Sequence, residues 1–71
     1  MTIDRDKLTD RILEVLEENE SNFDDRETTS LYEMICSEYP FNTWANDLLK
    51  FAERYGVSVD WLLGRSEKYW L

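Results

Sequence analysis

Only Pro40, Gly56 and Gly64 interrupt the backbone of this 71-residue chain. Proline removes a hydrogen-bond donor and glycine frees the backbone, so helices end at such residues. Alternation of apolar and polar residues never lasts beyond a few positions, which disfavours strands. Together these features predict an all-α fold, a compact four- to five-helix domain. No repeat or low-complexity linker divides the chain, and residues 1–71 read as one domain near the lower size at which a core suffices unaided.

Apolar spacing and caps place the helices. Asp4 or Asp6 can cap a first helix whose Leu8, Ile12, Val15 and Leu16 form a one-sided stripe, widened by Leu13. That helix should fade at Glu18–Asn22, where asparagine, serine and like charges disfavour continuation. The following "NFDDRETTS" has Phe23 as its single apolar residue and reads as a loop or a short helical turn. Ser30 with Glu33 makes a capping box for a segment that turns Leu31, Met34, Ile35 and Tyr39 inward and ends at Pro40. Asn42 or Thr43 can cap the next helix, with Trp44, Leu48, Phe51, Ala52 and Tyr55 on one face and Gly56 as left-handed terminator. Ser58 caps a last short helix through Trp61, Leu62 and Leu63, closed by Gly64.

The stretch from Leu48 to Gly64, "LLKFAERYGVSVDWLLG", resembles the last two helices of phage-repressor-like helix-turn-helix domains, the lambda-repressor/Cro (XRE-type) family. The resemblance covers residues 48–64 and lies in scaffold. It implies a lambda-repressor-like domain in a phage or mobile-element setting, with regulation of transcription as its business. The family's spacing puts the groove-reading helix on Thr29–Glu38, with Thr28, Thr29, Ser30, Tyr32 and Glu33 as DNA-reading residues of an ordinary sequence-specific regulator.

Here the chain departs from the pattern. The segment before that helix has neither the buried leucine–alanine pair nor the tight glycine turn. From Glu27 through Leu49 there is no lysine or arginine. Sixteen acids against eight bases give a net charge of −8. Residues 14–27 hold Glu14, Glu17, Glu18, Glu20, Asp24, Asp25 and Glu27 against Arg26 alone. Such a surface repels the phosphate backbone and attracts cationic partners. Lys7, Arg11, Lys50, Arg54, Arg65 and Lys68 lie in other segments and could form a cationic rim only if the fold gathers them.

The expectation is therefore a protein that works by protein–protein interaction, an antirepressor-like inhibitor of a basic DNA-binding repressor. Its acidic face would be the seven acids of residues 14–27, and its apolar anchors Tyr32, Tyr39, Phe41, Tyr69, Trp70 and Leu71. A helix-turn-helix DNA-binding regulator is the alternative, and a homodimer is compatible with either. In residues 65–71, Tyr69-Trp70-Leu71 either covers the core or anchors a partner. Trp44 and Trp61 read as core.

No catalytic role is expected. There is no histidine to act as base, and the lone Cys36 reads as a small core residue beside Ile35. No cofactor is expected, and without histidine a Cys/His metal site is excluded. No apolar run approaches the ~20 residues of a membrane span, and the N-terminus lacks a hydrophobic signal region, so a cytoplasmic location is expected.

Overall fold

The computed structural model describes residues 3–20 and 26–70; Phe23, Asp24, Asp25 and Leu71, singled out above, lie outside them. Among the described residues four helices follow in order: α1 (Arg5–Glu18), α2 (Arg26–Cys36), α3 (Phe41–Tyr55) and α4 (Val59–Leu62). No strand occurs among the described residues, only an isolated antiparallel bridge between Val57 and Trp70. The protein is all-α. α2 packs on both α1 and α3, while α4 closes the far side against α1 and α3.

α1 forms as its pattern requires. The Asp4 carboxylate accepts from Lys7 N at 3.0 Å, satisfying an otherwise orphaned first-turn donor. Leu8, Ile12, Val15 and Leu16 are buried. Leu13 does not widen the stripe: at 39% exposure it stands on the solvent side. The helix ends at Glu18, where the Asn19 side chain returns to Val15 O at 2.8 Å.

α2 starts a turn earlier than the capping-box reading placed it. Arg26–Ser30 are helical, so Ser30 sits inside the helix and caps nothing. The reason is Thr28, buried to 4% exposure, which opens a stripe with Leu31 and Ile35 at i, i+3 and i+7. A threonine occupies the buried position that a scan for leucines passes over. Cys36, one residue past Ile35 and so about 100° round the helix, is exposed and is not core. Met34 is half-buried, and Tyr39, expected inward, is 49% exposed.

The α2–α3 joint is made without glycine. Glu38 adopts φ 60° in the left-handed region. Its N–H donates to Ile35 O at 3.1 Å and that of Tyr39 to Met34 O at 3.1 Å, a Schellman-type closure. α3 then begins at Phe41 with Pro40 as its capping residue and no side-chain cap, so neither Asn42 nor Thr43 serves. Trp44 secures the entry instead. Its indole N–H donates to Tyr39 O at 3.0 Å and its ring meets Phe41 edge-on at 5.0 Å.

The α3–α4 joint matches its reading closely. Gly56 is left-handed at φ 67°, Val57 is buried, and the Ser58 hydroxyl accepts from Trp61 N at 3.3 Å. Trp44, Leu48, Phe51, Ala52, Trp61, Leu62 and Leu63 join the α1 and α2 stripes in one core. Tyr55 is packed against that core but only partly buried.

Candidate interaction surfaces

Helical spacing separates α1 into three sides. The buried stripe faces α2 and α4. Glu14 and Glu18 lie toward the C-terminal tail, where Tyr69 Oη donates to Glu18 Oε2 at 2.6 Å. The outermost line carries Asp6, Asp10 and Glu17 with Leu13 beside them, all exposed. Asp6 and Asp10 were missed by counting acids only within residues 14–27. Their i, i+4, i+11 relation to Glu17 was the signal that places them on the same side.

The remaining acids do not share that face. Glu20 follows the helix at φ 54°. Glu27 lies across the molecule at a shallow crevice of about 30 Å³ between α2 and α3, with Asp47, Lys50 and Arg54 around it. Asp24 and Asp25 fall outside the described residues. The run of seven acids is therefore not one described surface; on α1 the acids form two adjacent lines, Asp6, Asp10 and Glu17 on the outermost side and Glu14 and Glu18 toward the C-terminal tail.

The residues proposed to read DNA fare differently from one another. Thr28 is buried and unable to meet a base edge. Tyr32 is packed partly against the core, and burial, followed by the neighbouring Cys36 and the Asp10 charge, pushes its phenol above the ordinary value. Thr29 is partly buried. Ser30 and Glu33 are exposed, on the outward line Arg26, Ser30, Glu33 and Ser37. That line presents one cation at its N-terminal end and a carboxylate at its middle.

Two arginines are turned inward as helix caps. Arg5 donates to Ile35 O and Tyr39 O, both at 3.0 Å, closing the C-terminus of α2, and lies 5.9 Å from the Trp44 ring centroid. Arg11 donates to Trp61 O at the end of α4, with Ser66 O at 3.5 Å, and stacks 4.6 Å over Trp61. A cation at a helix C-terminus satisfies orphan carbonyls and complements the dipole. The Lys7 stem lies against Gly64, where a Cβ would come within 2.8 Å of Lys7 Cδ. Arg65 faces Asp60 at 3.8 Å, an exposed pair. Arg5, Lys7 and Arg11 are thus taken up in scaffold contacts, whereas Lys50 and Arg54 stand on α3 beside α2, at the crevice they share with Glu27, Thr28 and Leu31. Neither α2 nor α4 has a basic residue in its own last turn, and in both the cation comes from α1.

The anchors also divide. Phe41 and Tyr69, like Tyr32, are packed partly against the core. The Tyr69 ring meets Trp61 at 4.4 Å, and Ser58 N donates to Tyr69 O at 2.8 Å. Burial first, then the hydrogen bond and charge of Glu18, with Glu14 behind it, pushes the Tyr69 phenol up to about 12. Trp70 is held by the backbone bridge to Val57 and stacks on Tyr69 at 4.6 Å, yet is 64% exposed. Tyr39 and Leu49 are each 49% exposed. The tail is thus both things at once: Tyr69 covers core and Trp70 faces solvent.

Among the described residues no cluster of three His, Cys, Asp or Glu side chains is placed to hold a metal ion, and no helix is long and apolar enough to cross a membrane. Every buried side-chain nitrogen or oxygen among them has a hydrogen-bond partner. No protein-family model, no curated protein and no solved structure matches the chain.

Proposed function

We propose that this chain is a small regulatory protein, of the phage or mobile-element kind that its lambda-repressor-like joint resembles, which binds and inhibits a basic DNA-binding repressor. The observation that carries the reading is the disposition of charge. Arg5 and Arg11 point inward to helix-terminal carbonyls, while α2 turns Arg26, Ser30 and Glu33 outward. Nonspecific duplex affinity comes from neutralised phosphates, and each contact contributes about one unit to the salt slope. A face with a carboxylate at its centre and one arginine at its end contributes little of that. The acids of α1 suit a cationic partner instead, where complementary charge accelerates encounter and selects the partner.

Of the five groups that the DNA-reading alternative would use, Thr28 is buried, Thr29 and Tyr32 are partly buried, and Ser30 and Glu33 are exposed. The test pairs two measurements. Fluorescence anisotropy with a labelled duplex at low salt should show no saturable binding. Co-expression with the repressor of the same mobile element, followed by competition against its operator, should show displacement of the DNA. Saturable binding of the isolated chain to a defined duplex at physiological ionic strength would overturn the proposal in favour of a helix-turn-helix regulator.

A further inference from the structure

The described apolar side chain with the greatest exposure, Trp70, is not a loose end. It stands at the outer end of a stack running Trp61–Tyr69–Trp70, with centroid spacings of 4.4 and 4.6 Å and near-perpendicular rings. The backbone beside it is pinned by the Val57 bridge and by the Ser58 N–H to Tyr69 O hydrogen bond. Tyr69 is pinned in turn by Glu18. A rigid aromatic that keeps its exposure can bind with little loss of conformational freedom.

The charge beside this stack determines the occupant. Glu18 touches Tyr69, and Glu14 acts on the same phenol from one turn earlier on α1. Lys68 is the near cation along the chain, exposed, with its N–H held by Ser66 Oγ at 3.0 Å. A second copy of the chain would bring the same carboxylates against themselves in a protein of net charge −8. We infer that Trp70, set against the Tyr69 ring whose hydroxyl is bonded to Glu18, is a docking site for a cationic amphipathic helix, which sets an apolar side chain on the indole and lysine or arginine toward Glu18 and toward Glu14 one turn earlier on α1. This inference deepens the proposed function by naming the surface and the partner chemistry, and it rests on that reading for its biological meaning alone.

The probe is a synthetic helical peptide of leucine on one face and lysine on the other, titrated into the full chain. Trp44 and Trp61 are already buried, so a blue shift of tryptophan emission reports Trp70. Expected are saturable binding with a blue shift, a loss of tenfold or more in affinity for Trp70→Ala, and a flatter salt dependence for the Glu14→Gln, Glu18→Gln pair. The melting temperature of Trp70→Ala should stay within a few degrees of the parent; Trp70→Ser serves if the alanine variant aggregates. Binding unchanged by Trp70→Ala, equal binding of a peptide with glutamine in place of lysine, no binding, or a Trp70-dependent dimer in sedimentation would each overturn the inference. Repressor displacement retained by Trp70→Ala would leave the proposed function standing and remove this site. Peptide binding at Trp70 without displacement of any repressor would do the reverse.

Discussion

Replacing Arg5 by alanine tests the claim that this fold uses cations as internal caps. The guanidinium donates to Ile35 O and Tyr39 O at 3.0 Å each and lies 5.9 Å from the Trp44 centroid. Hydrogen bonds from charged donors contribute about 1.5–3 kcal/mol each where the acceptor would otherwise be left alone. Neither acceptor is left alone here: Ile35 O also accepts from Glu38 N at 3.1 Å, and Tyr39 O from the Trp44 indole at 3.0 Å. The two bonds together therefore contribute about what one such bond does at the low end, about 1.5 kcal/mol, and with about 0.5 kcal/mol for the ring contact the total expected loss is about 2 kcal/mol. At roughly 4–8 °C per kcal/mol for a domain of this size, the melting temperature should fall by about 10 °C. Thermal melts followed by far-UV circular dichroism measure it. Arg5→Lys should recover about half, because a lysine ammonium does not fork to two carbonyls in fixed geometry. The deficit should persist in about 1 M salt, since the acceptors are carbonyls and not exposed carboxylates. A fall of less than about 3 °C for the alanine variant, or full recovery by lysine, would refute the capping role.

Two further outcomes follow from local geometry. Glu38 holds φ 60° without being glycine, so Glu38→Gly should stabilise the chain by about 0.5–1 kcal/mol in urea unfolding, while Glu38→Gln should change it by only a few tenths. Tyr69 has a phenol pKa raised from 10.0 to about 12, so the folded state favours its neutral form. Its stabilisation is complete below pH 10, the unfolded value, and is lost as pH rises toward about 12. Tyr69→Phe should therefore flatten the alkaline limb of the stability profile over that window. An identical slope in the two proteins would mean that neither burial nor the contact with Glu18 holds the phenol neutral.

Helices α1, α3 and α4 were legible because their information is local. Asp4 and Ser58 cap at the positions their types prefer, and Gly56 turns where only a left-handed residue continues the chain. Leu8, Ile12, Val15 and Leu16, like Trp44, Leu48, Phe51 and Ala52, repeat at helical spacing and are all buried. The middle of the chain was less legible. Thr28 is polar by type, so an apolar pattern starts α2 only at Leu31 and offers Ser30 as its cap, whereas the helix begins at Arg26. Cys36 is apolar by habit yet lies off the stripe, on the solvent side.

Charge pattern shows the division most plainly. Composition alone establishes an excess of acids, because net charge is a sum and needs no coordinates. Which acids share a face, and which cations remain outward, depends on partners 30 to 55 residues distant, as with Arg5 at Ile35 and Arg11 at Ser66. Spacing within a helix assigns a residue to a side. Only the packing of one helix against another determines whether that side meets a carbonyl, a ring or water, and so whether a guanidinium closes the fold or greets a partner.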